Sequence, residues 1–252
     1  MYRIAFFTEK GGAGKTTFSA NVSSILAQRG LRILLVDMDP QGHSAKVLGA
    51  TQSVKKTILE ALISRRRNIK EFIRLTRIGN LSILPADWSL ADFTVNVAND
   101  PSRHRRLQYI LDGVREDYDF IFIDTPPSLE LITLNILLAS DFVIIPAALT
   151  YLGLVGVASS LSVLKNLKSA FGYAPSIFLV VPNFYEDNAS CNELLETLKT
   201  KLGSLVSSTL IHRDPEIDRA QSYSLTVIEL SPQSQGAMDF QNLCDEITLK
   251  IP

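Results

Sequence analysis

The sequence predicts an α/β protein built on a doubly wound, mostly parallel sheet with helices on both faces. Three observations carry that expectation. Short continuous apolar runs alternate along the chain with segments of helical apolar period, as when strands buried on both faces are joined by crossover helices. The first apolar run leads through Gly11-Gly12-Ala13-Gly14 into a helical pattern. Aspartates follow two further runs, at the strand ends where such sheets bind ligands.

Taken in order, strands are expected at Ile4–Phe7, Ile33–Val36, Leu81–Leu84, Phe120–Ile123, Phe142–Ile145 and Ile177–Val181, with a less continuous one at Leu205–Ile211. A helix is expected from Thr16 to Gln28, with Gly30 as its C-terminal cap, because glycine takes the left-handed conformation without steric cost. Leu154, Val157, Ala158, Leu161, Leu164 and Leu167 form one helical stripe, and Leu194, Leu195, Leu198 and Leu202 a second. A final helix places Ala237, Phe240, Cys244 and Ile247 on its apolar face, and Asp239, Asp245 and Glu246 on its polar face. Without a low-complexity linker, internal repeat or composition break, residues 1–252 are expected to form one domain.

Bulk composition excludes more than it assigns. The 252 residues are 46% hydrophobic and 20% charged, with a net charge of −1, so binding to nucleic acid or membrane has to come from local patches. Cys191 and Cys244 are the only cysteines and have no metal-type spacing; Cys244 is expected to be a buried thiol. A strand expected almost at the N-terminus leaves no room for a signal peptide, and no apolar run reaches the ~20 residues of a membrane span. The expected location is the cytoplasm.

The run Glu9-Lys10-Gly11-Gly12-Ala13-Gly14-Lys15-Thr16-Thr17 carries the chemistry. Small residues between a strand and a helix let successive backbone N–H groups curl round a phosphate, where the helix N-terminus adds partial positive charge. Lys15 is placed to reach the β- and γ-phosphates, and the Thr16 hydroxyl to ligate Mg²⁺. Lys10 is unusual: it stands before the glycines, where an ordinary phosphate loop requires no cation. Two strand ends add carboxylates, in Asp37-Met38-Asp39-Pro40-Gln41-Gly42 and in Asp124-Thr125-Pro126-Pro127-Ser128. A metal–nucleotide site needs one acid to support the metal and another to position the attacking water.

These residues resemble the ParA/MinD group of deviant Walker A P-loop ATPases, and most closely its ParA partition branch. The resemblance rests on Lys10–Thr17, on Leu35-Val-Asp-Met-Asp-Pro-Gln-Gly42, on Leu84-Pro-Ala86 and on Tyr118-Asp-Phe-Ile-Phe-Ile-Asp-Thr-Pro-Pro-Ser128; a weaker match runs from His212-Arg213-Asp214 to Ser234-Gln-Gly-Ala237. It implies ATP and Mg²⁺ as cofactors, with ATP held by Lys10 through Thr17, Asn183 and Asp214. Lys15 is then the phosphate lysine, and Lys10 the signature lysine that reaches the partner's nucleotide in a dimer. Asp39 is implied in hydrolysis, with Thr16, Asp37 and Asp124 serving the metal. The implied activity is slow, Mg²⁺-dependent ATP hydrolysis by a homodimer that forms with ATP and positions a cargo through a ParB-like or other adaptor protein, on non-specific double-stranded DNA of the nucleoid. A MinD-like membrane-associated ATPase and a metabolic ATP-dependent ligase are the alternatives.

The chain departs from the family at Ala148 and Thr150, where relatives often carry Gln and Glu, and at Arg219-Ala220 in place of Glu-Ala. Beyond residue 212, Arg213, Arg219 and Lys250 are outnumbered by acids, which weakens the expectation of a DNA surface there. A basic run holds Arg65, Arg66, Arg67, Lys70, Arg74 and Arg77 with Glu71 as its one acid; Arg103, Arg105 and Arg106 form a second cluster. Such runs serve as solvated faces or as contacts to a phosphate backbone. Arg65, Arg66, Arg67, Lys199, Lys201 and Arg213 are the candidate DNA contacts. The acids on the final helix set it apart from a basic amphipathic membrane anchor, so no stable membrane association is expected.

Overall fold

The computed structural model describes residues 1–50, 56–64, 66–127 and 131–251; Arg65 and Ser128, named above, lie outside them. Its strands are β1 (Tyr2–Phe6), β2 (Ile33–Asp37), β3 (Arg74–Leu75), β4 (Leu81–Leu84), β5 (Phe120–Asp124), β6 (Phe142–Ala148), β7 (Ser176–Tyr185) and β8 (Ile211–His212). They form one sheet in the order β3-β4-β2-β5-β1-β6-β7-β8. Every pairing is parallel except β3 with β4. The expected doubly wound α/β class is therefore observed.

Helices α1 (Lys15–Gln28), α2 (His43–Val47), α3 (Ile58–Ile63), α4 (Phe93–Asn96), α5 (Arg106–Leu111) and α6 (Leu131–Ala139) belong to the first part of the chain. α7 (Tyr151–Phe171), α8 (Ala189–Leu202), α9 (Pro215–Ser222), α10 (Val227–Leu230) and α11 (Gln235–Lys250) follow. Alternation along each strand sorts side chains onto two faces. Ala5, Leu34, Val36, Ile121, Ile123, Val143 and Ile145 pack with α3, α5, α6 and α7. Ile4, Phe6, Ile33, Leu35, Phe120, Phe122 and Ile144 pack with α1 and α11. At roughly 1.5–3 kcal/mol for each large apolar side chain fully buried, these two layers are the main driving force for the fold.

Two expectations need correction, and one element was not foreseen. Of the expected segment Leu205–Ile211 only Ile211 joins the sheet as a strand, paired onward into His212, with one further bridge from Val206 to Val180. The reason is local: the N–H groups of Ser208 and Thr209 donate to the Glu246 carboxylate at 3.1 Å each, so they are withdrawn from the ladder. Asp239 and Glu246 on α11 are buried rather than solvated. Asp239 accepts from the His212 backbone N–H, and Glu246 from the Ser207 hydroxyl at 2.6 Å. The antiparallel edge strand β3 lies in the basic run, where no apolar pattern announces it.

The order around β1 positions the site. From β1 the chain crosses to β2 on one side, and from β5 it crosses to β6 on the other. The loops after β1, β2 and β5 thus surround a crevice at the carboxyl ends of the strands, the expected ligand position.

Candidate nucleotide site

The phosphate loop follows β1 and enters α1 at Lys15. Gly12 (φ 71°) and Gly14 (φ 95°) are left-handed, a conformation that costs a side-chain-bearing residue energy. No side chain caps α1 and no acid occupies its first turn, so its N-terminal N–H groups face the crevice ready for an anion. The buried Lys15 ammonium donates to the carbonyls of Thr8 (3.2 Å) and Lys10 (3.3 Å). Burial holds its pKa below the usual lysine range, while the charges of Asp124 and Asp39 oppose that shift.

Asp37 and Asp124 end neighbouring strands in register with each other, and both are buried. Asp37 Oδ1 accepts from the Asp39 N–H at 3.0 Å, and Asp124 Oδ2 from the Ser44 hydroxyl at 2.7 Å. The other oxygens, Asp37 Oδ2 and Asp124 Oδ1, have no hydrogen-bond partner. Burial, then the Asp124 charge, pushes the Asp37 carboxyl well above the carboxylate range. Burial likewise raises Asp124 to about 6, against the pull of the Ser44 and Thr16 hydroxyls. Two orphaned carboxylate oxygens beside a phosphate loop suit a small, hard dication such as Mg²⁺, which takes one or two carboxylates and fills its shell with phosphate and water. Among the described residues no group of three or more His, Cys, Asp or Glu side chains could hold a metal, so phosphate oxygens would have to complete the shell here.

A cavity of about 300 Å³ opens over the loop, lined by residues 11–17 with Asp39, Thr125, Pro127, Asn183, Phe184, Ile211, Ile217, Asp218 and Phe240. Asp39 stands on its wall, half-buried, with Oδ1 accepting from the Gln41 N–H at 2.9 Å. Asn183 ties β7 to the loop: its Nδ2 donates to Ala13 O at 2.9 Å, and its Oδ1 accepts from the Phe184 N–H at 2.9 Å. A Cβ at Gly14 would stand 2.8 Å from that Nδ2. Thr17 accepts from the Gln221 amide at 2.6 Å.

Asp214 caps α9, accepting from the N–H groups of Glu216 (2.9 Å) and Gly236 (2.8 Å). Its neighbours Ile217 and Asp218 reach the cavity instead. Phe184, Ile217, Asp218 and Phe240 escaped sequence reasoning because no motif marks them; proximity to Asn183 was the one signal for Phe184. Lys10 directly precedes the lining residue Gly11; it is half-buried, and its ammonium has no ion pair or hydrogen bond among the described residues. α7 packs tightly behind it. Ser160 Oγ accepts from the Glu9 N–H at 3.2 Å, and a Cβ at Gly156 would come within 2.9 Å of Lys10 Cβ. Of the departing positions, Thr150 caps α7 through the Gly153 N–H, and Arg219 pairs with Glu216 at 3.2 Å.

Among the described residues of the basic run, Arg66, Lys70 and Arg77 are paired within the chain. Arg66 faces Glu71 at 3.6 Å, Lys70 meets Asp117 at 3.1 Å, and Arg77 forms a two-pronged pair with Glu229. Arg67 lies over the Tyr109 ring at 5.1 Å. Lys199 pairs with Glu196, and Arg213 pairs with Glu186 while covering the Phe184 ring. Lys201 is exposed. No helix among the described residues is long and apolar enough to cross a membrane.

A phosphate loop on β1, carboxylates ending β2 and β5, and a switch point between them define a P-loop nucleoside-triphosphatase fold. Comparison with known proteins narrows the class. Residues 1–175 match a family model described as an AAA domain. The chain is 34% identical to the chromosome-partitioning ATPase Soj of Treponema pallidum, over 98% of this chain and 97% of that protein. It is 33% identical to the sporulation initiation inhibitor protein Soj of Bacillus subtilis, over 97% of each. A structure of cobyrinic acid a,c-diamide synthase from Mycobacterium smegmatis, with bound ATP analog and magnesium, superposes with a TM-score of 0.85 at 26% identity, covering 98% of this chain and 94% of that one. The chain belongs to the Soj/ParA family of P-loop ATPases.

Proposed function

We propose that this chain is an Mg²⁺-dependent ATPase that dimerises when it binds ATP, binds DNA without reading its sequence, and positions a cargo through an adaptor protein. The observation that carries the reading is the pair of orphaned oxygens on Asp37 and Asp124 beside the Lys15 loop, with a second lysine, Lys10, unpaired directly before Gly11. In this reading Gly11 to Thr17 and Asn183 hold ATP, with Asp214 supporting the site through its caps on α9 and α11. Thr16, Asp37 and Asp124 serve the metal, Asp39 orients the attacking water, and Lys10 reaches the partner's nucleotide. Binding energy released only when nucleotide lies between two copies stabilises the dimer, and hydrolysis withdraws it.

DNA contact falls to exposed cations, with Arg66, Arg67, Lys199, Lys201 and Arg213 as candidates beside Arg65. The surface ion pairs of Arg66, Lys199 and Arg213 are each worth about 0–1 kcal/mol, little enough for a phosphate to displace the carboxylate. The reading puts the protein in the cytoplasm, on the nucleoid. Likeness to the diamide synthase keeps a metabolic ligase as the second reading; it predicts turnover of ~10 s⁻¹, typical of metabolic enzymes, instead of slow basal hydrolysis. One experiment separates them: sedimentation of Asp39→Ala with ATP, with and without DNA. A stable dimer that binds DNA supports partition-type function. A monomer that ignores DNA at low salt overturns it.

A further inference from the structure

We infer that Ser44 is a positioning residue for the metal site: its hydroxyl fixes one oxygen of Asp124 so that the other points at the cation. The inference rests on the Mg²⁺–nucleotide reading and goes beyond it by naming what aims the carboxylate. Rotation about the last bond of an aspartate is broad and two-fold, so an untethered carboxylate is poorly aimed. The one hydrogen bond that fixes Asp124 is from Ser44 Oγ to Oδ2 at 2.7 Å; Oδ1 has none, and the nearby Thr16 hydroxyl, itself assigned to the metal, only adds its pull on the carboxylate. The serine is completely buried, so water does not compete for that bond.

Ser44 is itself fixed at both ends of its short helix. Before it, Gly42 is left-handed (φ 61°), and a Cβ there would stand 2.8 Å from the Ala86 carbonyl, so only glycine lets α2 sit so close to the end of β4. After it, the Val47 carbonyl accepts from the Arg77 guanidinium at 2.6 Å, and Arg77 is anchored by Glu229 at 2.7 and 2.8 Å. The backbone adds a link, Met38 N–H donating to Asp124 O at 3.1 Å. The hydroxyl therefore acts from a rigid support, as a group that orients a metal ligand must.

The test uses the full chain and Mn²⁺ as a spectroscopic substitute for Mg²⁺. Mn²⁺ affinity of the ADP complex is read by electron paramagnetic resonance, and ADP affinity is read separately in EDTA. Ser44→Ala is expected to weaken Mn²⁺ binding about tenfold or more, the scale of a hydrogen bond to a charged group, with metal-free ADP affinity unchanged within about twofold. Ser44→Cys, similar in size with a weaker donor, is expected to fall between. Unchanged Mn²⁺ affinity in Ser44→Ala overturns the inference, as does an equal loss of both affinities, which would mark a packing role. A cysteine variant worse than alanine also overturns it. Failure of the unsubstituted protein to bind Mn²⁺ with ADP would instead overturn the Mg²⁺–nucleotide reading itself.

Discussion

Asp124→Asn should make the nucleotide-free protein more stable at neutral pH while destroying its use of metal. The carboxyl titrates at about 6 when folded, against roughly 3.9 in an unfolded chain. Between those values the folded state binds more protons than the unfolded state, so stability falls as pH rises through the window. Above pH 6 the full cost is present. Below pH 4 both states are protonated and the cost vanishes. A shift of about two units at 1.36 kcal/mol per unit sets an upper bound of about 3 kcal/mol, and because Asp37 and Asp124 titrate together in one buried site, part of that belongs to the pair. Asparagine keeps the shape and can still accept from Ser44, so it removes the buried charge without leaving a void.

The assay is reversible urea unfolding of both proteins in EDTA, without nucleotide, from pH 4 to pH 8. A gain of about 1–3 kcal/mol at pH 8 that shrinks to nothing near pH 4 is expected. ADP in EDTA should stabilise both proteins, by about 2.7 kcal/mol at a hundred times the dissociation constant, and Mg²⁺ should add to that in the unsubstituted protein alone. A variant no more stable at pH 8 would show that the site is already solvated and would refute the account of the orphaned oxygens.

The remaining predictions concern the loop and the surface. Lys15→Ala should abolish ATP binding in a correctly folded protein, since the ammonium opposite the phosphates is gone; retained affinity in an equilibrium titration would remove the loop from the site. Gly14→Ala combines a left-handed backbone with a clash against Asn183 and should weaken nucleotide binding more than tenfold, by calorimetry, while the same strain lowers the melting temperature by a few degrees. Lys10→Ala should leave monomer binding intact and weaken the ATP dimer in sedimentation, and an unchanged dimer would contradict a cross-interface role. Neutralising Arg66 and Arg67 should flatten the salt dependence of DNA binding, by about 0.9 in log–log slope for each phosphate no longer neutralised, without altering ATP turnover.

The strands that carry the site were legible because burial on both faces writes itself as continuous apolar runs; β2 and β5 stand where Ile33–Val36 and Phe120–Ile123 predict them, each extended by its terminal aspartate. The loop was legible because its glycines answer a backbone requirement that few residues meet. Less visible was anything made by a single long-range bond. Glu246 reads as a solvated acid on a helix face, and only the fold reveals that it unravels the start of the last strand by taking two N–H groups. Ser44 reads as one more serine, because the sequence does not show that Asp124, eighty residues away, will come to lie against it. The basic run between Arg66 and Arg77 illustrates the converse: its charge density stands out in sequence, but the fold gives much of it internal partners.

Both lateral margins of the sheet are closed by strands of two residues, Arg74–Leu75 at one side and Ile211–His212 at the other. Strands of two residues give another chain few backbone groups to pair with, and an arginine guards the first. The two terminal strands are thus poor templates for lengthening the sheet sideways. The dimer proposed above would then meet through strand tips and helix surfaces, where contact can be made and broken without disturbing the ladder that holds each copy together.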